Sequence, residues 1–345
     1  MRSDGLAVIV PVDNDHLLQE KPKEVKILLE KFKILCCRFY LEAGKDGLVL
    51  PALKSALFFD EQFKDILRQQ VCKYFEKKCA DCILKNDCTY AYLYEERAET
   101  SWSLRRFSSL PIPLIWQPPL EKKTDYFPGE NVVFNLVLCG RGVSFLKYLV
   151  DTVLQLSEEG LKSGSGSFEV SRITLENPFA DYQADLLETT AENISEKHVM
   201  IKGSDIENWA SRYKQFTRLS IRFLTPLLIK EDDEYLKEPS FDVIMKVLFQ
   251  RATALYYFYH QQQEMVINYN EFKEQSKRIQ KVKDQTRFVS AGQSTQKARI
   301  IPGLLGEAVY MGDFQLFLPL LKLGEWIHLG EQAMYGQGRI QVKVG

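Results

Sequence analysis

Residues 301–344 of the chain read IPGLLGEAVYMGDFQLFLPLLKLGEWIHLGEQAMYGQGRIQVKV. Apolar residues cluster over 304–310, which predicts a strand, and the apolar run 314–326 that follows predicts a helix. A glycine-rich turn, Gly330 to Gly338, leads into a last stretch, 339–344, where apolar and polar residues alternate as in a strand. Together these elements form the closing half of an α+β unit.

The rest of the chain repeats this order. Apolar periodicity predicts strand 25–41, helix 58–77, strands 110–116 and 131–139, helix 143–156 and strand 168–175, then strand 216–229 and helix 241–260 before the closing block. Both halves have a glycine-rich turn before the last strand, which indicates a duplication. The order β-α-β-β-α-β predicts two ferredoxin-like (RRM-like) α+β domains in tandem, 1–176 and 215–345. The acidic and polar residues 177–214 are expected to form a linker or an insertion.

The composition and net charge of the chain exclude several classes of protein. The chain has 345 residues, 45% of them hydrophobic, and a net charge of −1. Global disorder is therefore excluded, and no stretch reaches the roughly 20 apolar residues of a membrane helix. The apolar segment at the N-terminus, 6–12, is shorter than a secretory signal requires, which predicts a cytoplasmic location. A charge near zero argues against non-specific coating of nucleic acid but allows a local basic groove.

Such a basic segment spans residues 271–300. It contains eight basic and three acidic residues, a net charge of +5. The basic residues are Lys273, Lys277, Arg278, Lys281, Lys283, Arg287, Lys297 and Arg299. Contact with RNA phosphates is one interpretation of this run, and a solvated helix face is the other.

Four of the seven cysteines cluster in the first half, at Cys72, Cys79, Cys82 and Cys88. A Cys-x2-Cys pair with two further thiols nearby can form a tetrahedral structural zinc site. The spacing differs from a pair of zinc knuckles, however, and Cys72 can equally face the core from its helix. A zinc ion here would stabilise the loop after the first helix without taking part in catalysis.

The closing block resembles a known family at a set of spaced positions. They are Gly303, Gly306, Tyr310 and Gly312 in the strand, Leu320, Leu321, Gly324, His328 and Gly330 at the helix end, and Gly336 and Gly338 in the last turn. Weaker matches are Pro226, Gly129-Glu130, the glycine-rich stretch 160–168, and the cysteine cluster with Tyr90. Over about residues 26–176 and 216–345 the chain is similar to the CRISPR precursor-RNA processing endoribonucleases of the RAMP superfamily.

The resemblance implies a metal-independent endoribonuclease of antiviral defence that cuts CRISPR precursor RNA within its repeats. In such a reaction the 2′-hydroxyl attacks the adjacent phosphorus and leaves a 2′,3′-cyclic phosphate. His328 would be the general acid or base, and Tyr335 could stack on a base. RNA would be held by the basic segment and by Gly330, Gly336, Gly338 and Arg339. The implied partners are repeat RNA or crRNA and other CRISPR effector subunits, with no membrane and no catalytic cofactor.

Two departures from the family pattern keep an alternative open. The chain has no histidine between His16 and His198, where many members have one near the first helix, and Glu331 replaces a common lysine. His328 can also be explained as an imidazolium that caps its helix C-terminus. The alternative function is a non-catalytic RAMP subunit that binds crRNA in an effector complex. A zinc-stabilised interaction module unrelated to RNA is a third hypothesis.

Overall fold

The structure, a computed structural model, describes residues 29, 32–51, 55–95, 110–121, 123–162, 164–188, 196–231, 234–260, 269–290 and 301–345. These residues form two antiparallel sheets with helices packed on them. Among the described residues, no helix has the length and apolar character needed to cross a membrane.

The first sheet belongs to a ferredoxin-like unit. Its elements are β1 (Lys33–Val49), α1 (Ser55–Val71), α2 (Thr89–Tyr94), β2 (Leu114–Gln117), β3 (Asp125–Tyr126), β4 (Asn131–Cys139), α3 (Leu146–Glu159) and β5 (Gly166–Asn177). The strand order β2-β4-β1-β5 places the first strand between the third and fourth strands of the motif. The predicted βαββαβ order is confirmed for this half.

Successive residues along the strands of the first sheet point to opposite faces, so that one face is apolar and the other is open. Phe39 of β1 lies opposite Phe134 of β4, and the ring of Phe134 is 5.4 Å from that of Phe59 on α1. On α1, Phe59 and Phe63 are one helical turn apart and both are buried. The helices therefore cover the face that contains Phe39, and the residues next to Phe39 in sequence point to the opposite face.

The second sheet belongs to a second unit of the same kind. Its elements are β8 (Arg218–Leu227), β9 (Lys230–Glu231), β10 (Glu234–Tyr235), α6 (Phe241–Tyr259), α7 (Tyr269–Lys277), β11 (Gln280–Asp284), β12 (Arg287–Val289), β13 (Gly303–Met311), α8 (Leu318–Ile327) and β14 (Ile340–Val344). The strand order is β11-β13-β8-β14, and β12 also pairs with β13. The prediction of tandem ferredoxin-like domains is confirmed.

The second unit differs from the sequence prediction in its basic segment and at the start of its last helix, among other details. The strands β11 and β12 lie in the basic segment, where no strand was predicted because their exposed sequences contain few apolar residues. The last helix begins at Leu318 rather than 314, since Pro319 is tolerated in the first turn of a helix but not in its interior.

The described residues of the segment 177–214, namely 177–188 and 196–214, fold onto the first sheet. They contain β6 (Tyr182–Asp185), α4 (Glu196–Val199), β7 (Ile201–Lys202) and α5 (Gly203–Ala210). β6 pairs with β5, and β7 pairs with the start of β1. α5 also packs on α8 of the second unit, where Lys322 lies 4.5 Å from the ring centroid of Trp209. The segment therefore connects the two units as a folded layer.

A second contact between the units lies at the end of α6. The Nε2 atom of His260 accepts a hydrogen bond of 2.9 Å from the backbone N–H of Lys33, and its ring packs against Phe32 at 4.4 Å. Gly140, which follows β4, has φ +54°, and a Cβ there would lie 2.1 Å from the carbonyl oxygen of Tyr259. Only glycine allows this close approach.

We expect Gly140→Ala to destabilise the protein more than Gly129→Ala. Both glycines have positive φ, so both variants bear the cost of a left-handed alanine, about 1–2 kcal/mol. A Cβ at Gly129 meets no atom within 4 Å, whereas the one at Gly140 overlaps the Tyr259 carbonyl, which adds roughly 1–3 kcal/mol. Urea unfolding of the two variants measures the difference, and equal losses would show that the contact is not tight.

Candidate functional site

The face of the second sheet opposite its helices is rich in cations. Leu219, Ile221 and Phe223 of β8 are buried toward the helices, so the residues between them point outward. The cross-strand register places alternate residues of the neighbouring strands on the same outward face. We call the following six residues the basic face: Arg218, Arg222, Lys283, Arg287, Arg339 and Lys343.

The charges of the basic face are largely uncompensated. Glu307 of β13 is the acidic residue that shares this face, in register with Arg222. Arg218, Arg222, Lys283, Arg287 and Lys343 are exposed and form no ion pair within the described part of the chain. An exposed sheet surface with unpaired arginines and lysines is suited to bind phosphate groups.

The structure places the basic residues predicted to bind RNA on different surfaces of the protein. Lys283 and Arg287 lie on the basic face, and Arg339 lies at its border with the first unit. Lys273 and Lys277 are on α7, which packs against α6 through Phe249 and Phe272 on the other side of the sheet. The other predicted residues are placed as follows: Arg278 just after α7, Lys281 in ion pairs with Glu238 and Asp284, and Lys297 and Arg299 outside the described residues.

Sequence reasoning missed three members of the basic face, Arg218, Arg222 and Lys343. A signal was present, because RLSIR and RIQVK alternate basic or polar residues with buried apolar ones. That alternation is the pattern of a strand with one solvated face.

The glycine-rich turn packs between the two units. A Cβ at Gly336 would lie 3.0 Å from the carbonyl oxygen of Trp116, and one at Gly338 would lie 1.8 Å from that of Leu329. The backbone N–H groups of Glu331 and Gly338 donate to carbonyl oxygens at the end of β8, at 2.8 and 2.9 Å. Close packing by itself therefore accounts for the presence of glycine at these positions. Contact of Gly330, Gly336 and Gly338 with RNA stays a prediction.

His328 lies at the end of α8, as predicted, but its side chain is fully buried, with 0% of its surface exposed. Its Nε2 atom is 3.1 Å from the amide nitrogen of Gln117 on β2. The Gln117 oxygen accepts from Asn135, whose own oxygen accepts from Arg38. This network orients the Gln117 amide as donor, so Nε2 of His328 is the acceptor.

The His328 ring is neutral. Burial, with the Arg339 and Arg251 guanidinium groups nearby, holds its pKa well below the usual 6.5. A neutral ring without access to solvent favours a role in joining α8 to β2. It does not fit a charged helix cap, and proton transfer to RNA would require the ring to become exposed.

A lysine that the sequence did not single out lies where the glycine-rich turn meets α1. The Nζ atom of Lys64 is 2.9 Å from a carboxylate oxygen of Asp60 and 3.3 Å from the hydroxyl of Tyr335. The buried Asp60 also accepts hydrogen bonds of 2.8 Å from Tyr94 and Trp116. We call Lys64, Asp60, Tyr94 and Tyr335 the Lys64 cluster.

The Lys64 cluster presents a fixed cation to solvent. The Lys64 side chain is 27% exposed. Its partial burial lowers its pKa, but the Asp60 carboxylate and the Tyr335 hydroxyl outweigh that effect, so the pKa lies above the usual 10.5. An ammonium group beside a tyrosine hydroxyl can stabilise negative charge on a phosphate.

The two other histidines that the structure describes, His198 and His260, lie away from both places. His260 joins the units, and His198 lies beside Tyr182, with ring centroids 5.6 Å apart. His16 falls outside the described residues.

The cysteine cluster does not form a ligand set in the described structure. Cys72, Cys79, Cys82 and Cys88 are free thiols of intermediate exposure. Within the described residues no group of three or more histidine, cysteine, aspartate or glutamate side chains is arranged to hold a metal ion. The structural zinc therefore stays a prediction.

Comparison with known proteins adds family matches and shared folds. Residues 221–340 match the family model of the CRISPR-associated endoribonuclease Cas6, and residues 32–199 match the AF_1859 N-terminal domain. No curated protein matches the chain.

Solved structures of similar fold cover nearly the whole chain. A Cas6 product complex is 14% identical with a TM-score of 0.54, covering 90% of this chain and 99% of that one. Thermus thermophilus Cas6 has the same identity and coverage and a TM-score of 0.50. A partial Cas6-RT-Cas1–Cas2 complex is 12% identical with a TM-score of 0.55, covering 91% of this chain and 46% of that one.

We expect His328→Asn to change how stability depends on pH. Because the pKa of His328 is depressed in the folded protein, the unfolded chain takes up a proton first as pH falls below 6.5. The wild type should therefore lose unfolding free energy relative to the variant between about pH 7.5 and 5.5, by at most about 1.4 kcal/mol per pH unit. Urea unfolding at three pH values tests this, and a constant difference between the two proteins would contradict it. His260 is present in both and cancels.

Proposed function

We propose that this chain is a member of the CRISPR-associated Cas6 family, whose model matches residues 221–340, and that it binds CRISPR repeat RNA on its basic face and cuts the RNA within the repeats. The basic face carries this proposal, because five of its six cations are exposed without an ion-pair partner in the described structure. When unpaired lysine and arginine side chains bind RNA phosphates, they displace the counterions bound there, and the release of these ions favours binding.

The cleavage step needs no metal ion in this proposal. The 2′-oxygen of one nucleotide bonds to the adjacent phosphorus, and the bond to the 5′-oxygen breaks. The 2′-hydroxyl loses its proton to solvent, and the leaving oxygen gains one, which yields a 2′,3′-cyclic phosphate and a 5′-hydroxyl. The protein contributes mainly by stabilising the extra negative charge that develops on the phosphoryl oxygens.

We assign that charge stabilisation to the Lys64 cluster. The Lys64 ammonium is held in place by the buried Asp60 carboxylate, and the Tyr335 hydroxyl beside it can donate to the same phosphoryl group or to the leaving oxygen. This centre lacks a histidine as proton acceptor, so we expect slow cleavage. General acid or base catalysis by His328 is a competing hypothesis that the same experiment tests.

A second candidate function is a RAMP subunit that binds crRNA in an effector complex without cutting it. The burial of His260 and His328 favours this candidate, since neither ring reaches the surface. Such a subunit would use the basic face in the same way and would have other effector subunits as partners.

We expect Lys64→Met and Tyr335→Phe to slow the cutting of labelled repeat RNA in EDTA. Loss of one group that stabilises the transition state costs about 100- to 1000-fold in rate. Lys147→Met changes an exposed lysine on α3 and should leave the rate unchanged. The product should be one discrete fragment with a cyclic phosphate end.

Other outcomes of this experiment separate the hypotheses. Cleavage that survives Lys64→Met but is lost in His328→Asn would place the chemistry at His328. Tight RNA binding with no cut in any of the proteins would support the non-catalytic subunit.

We expect the double variant Arg218→Ala/Arg222→Ala to weaken repeat-RNA binding. The loss should be about tenfold or more near physiological salt, and the slope of log K against log salt should become shallower by about 1.5, the share of two phosphate contacts. Lys273→Ala/Lys277→Ala removes the same charge from α7 and is the matched control. Filter binding at several salt concentrations measures both, and equal losses in the two double variants would contradict an assignment to the basic face.

A further inference from the structure

The segment between α1 and α2, residues 72–88, lies on the surface without a core of its own. None of the residues 72–88 is buried. Two of the apolar side chains in this segment, Phe75 and Ile83, are 51% and 79% exposed. The helices on either side, in contrast, are anchored by buried residues. Burial of apolar surface, the usual source of stability for a folded segment, therefore contributes little to the segment 72–88.

The backbone of this segment is nevertheless folded into successive tight turns. Backbone N–H groups donate to the carbonyl oxygen three residues earlier, at 2.9 to 3.2 Å, in Lys77, Asp81, Cys82, Lys85 and Asp87. Ordering a residue costs about 1–2 kcal/mol, and a hydrogen bond returns about 0.5–1.5 kcal/mol. Local turns alone therefore do not fix the segment, and we expect a cross-link between them.

Four cysteines are spread over these turns. Cys72 follows α1, Cys79 begins a short 3₁₀ turn, Cys82 follows that turn, and Cys88 precedes α2. All four are free thiols of intermediate exposure, whereas most of the residues between them are exposed. Burial raises the pKa of the Cys79 thiol, and so do the nearby Glu95 carboxylate and Cys88 thiol. The fold thus brings Cys79 and Cys88 into one neighbourhood.

An arginine of α1 holds the segment against the helix. The Nη2 atom of Arg68 donates to the carbonyl oxygens of Phe75 and Lys77, at 3.2 and 3.3 Å. The Nε–H of Arg68 is buried and has no hydrogen-bond acceptor in the described part of the chain. The guanidinium also lies close enough to Cys79 to act on the pKa of its thiol. A buried N–H group beside a cysteine is suited to donate to the sulfur atoms of a metal centre.

The spacing of the cysteines distinguishes two kinds of metal centre. A structural zinc ion is typically held by two short pairs of ligands. This segment has one short pair, Cys79 and Cys82, with a single cysteine six intervening residues before it and another five after it. One run of cysteines a few residues apart is typical of an iron–sulfur cluster. Each thiolate of a cluster binds a different iron, so the thiols need not gather around one point, and among the described residues they do not.

We propose that Cys72, Cys79, Cys82 and Cys88 ligate a [4Fe–4S] cluster that cross-links the turns between α1 and α2. The cluster is transferred intact to the chain by exchange of its thiolate ligands, so no electron is transferred. Each cysteine thiol loses its proton to solvent and its sulfur binds one iron. The cluster differs from the zinc ion that the sequence predicts, and it takes the place of an apolar core in this segment.

The charge of the segment suits such a cluster. A cluster with four thiolate ligands has a net negative charge. Around it, four lysines and Arg68 face three acidic residues, a net charge of +2 from Lys73, Lys77, Lys78, Lys85, Arg68, Glu76, Asp81 and Asp87. The site lies outside the basic face and the Lys64 cluster, so this inference does not depend on the proposed function.

Iron, zinc and sulfide analysis of the full chain tests the proposal. The protein is expressed with added iron and purified without oxygen. We expect about four iron and about four acid-labile sulfide ions per chain. The protein should be brown, its visible absorption should bleach on reduction with dithionite, and the reduced protein should give an electron paramagnetic resonance signal.

Variants assign the iron to these cysteines. Cys82→Ala removes one ligand and should lose the iron, the sulfide and the visible absorption. Cys36→Ala removes a buried thiol of β1, and Ile83→Ala changes an exposed neighbour of Cys82, so both controls should keep the cluster. Circular dichroism of all three variants checks that they are folded.

Limited digestion with trypsin measures the cross-link without reference to iron. The segment has four lysines at which trypsin can cut, Lys73, Lys77, Lys78 and Lys85. We expect cleavage there to be about tenfold or more faster in Cys82→Ala than in the wild type, because local opening exposes the backbone. Equal rates would show that the cysteines do not cross-link the turns.

Three other results would overturn the cluster. One zinc ion per chain without iron would favour the structural zinc. A colourless protein whose four cysteines are disulfides or metal-free thiols would exclude a metal centre here. Equal iron in the wild type and in Cys82→Ala would show that the iron is bound elsewhere. None of these results bears on RNA binding by the basic face, which is tested separately.

Discussion

The close approach of the glycine-rich turn to β2 is the contact on which the arrangement of the two units depends. A Cβ at Gly336 would meet the Trp116 carbonyl, and the buried His328 ring reaches Gln117 on the same strand. This approach brings Tyr335 to Lys64 on α1 and places Arg339 at the border of the two open sheet faces. The buried hydrogen bonds make the contact specific, because a polar group left unpaired inside it costs about 1–3 kcal/mol.

The two copies of one topology differ in the charge of their open sheet faces. In the first unit the open face neutralises its arginines locally, as in the pairs Arg38–Glu176 and Arg172–Asp185. In the second unit the corresponding positions of β8 and β14 carry arginine and lysine without carboxylate partners in the described structure. The fold supplies two open faces, and the choice of charged side chains on alternate strand positions decides which of them attracts phosphate.

The chemistry of the site is governed by burial. Desolvation keeps His328 neutral, which suits a hydrogen-bond acceptor in the contact between the units. Lys64 experiences less desolvation and a stronger partner, so it stays charged at the surface. A centre with a fixed cation and a hydroxyl stabilises negative charge on a phosphate more readily than it transfers protons. Whether charge stabilisation alone supports cleavage distinguishes a slow nuclease from an RNA-binding subunit that does not cut.

Much of the architecture could be predicted from the sequence, because the periodicity of apolar residues depends only on residues that are near each other in the chain. The alternation in 131–139 and the order of elements in 301–344 predicted strands and helices correctly, and repetition of that order predicted the tandem fold. Strands β11 and β12 were missed since edge strands with few apolar residues have no such periodicity. The candidate site depended on tertiary structure. Lys64 and Tyr335 are separated by 271 residues, and no sequence spacing joins them. The sequence places His328 at the end of a helix, before a glycine-rich turn. Packing against β2 buries its side chain, and this burial keeps the ring neutral.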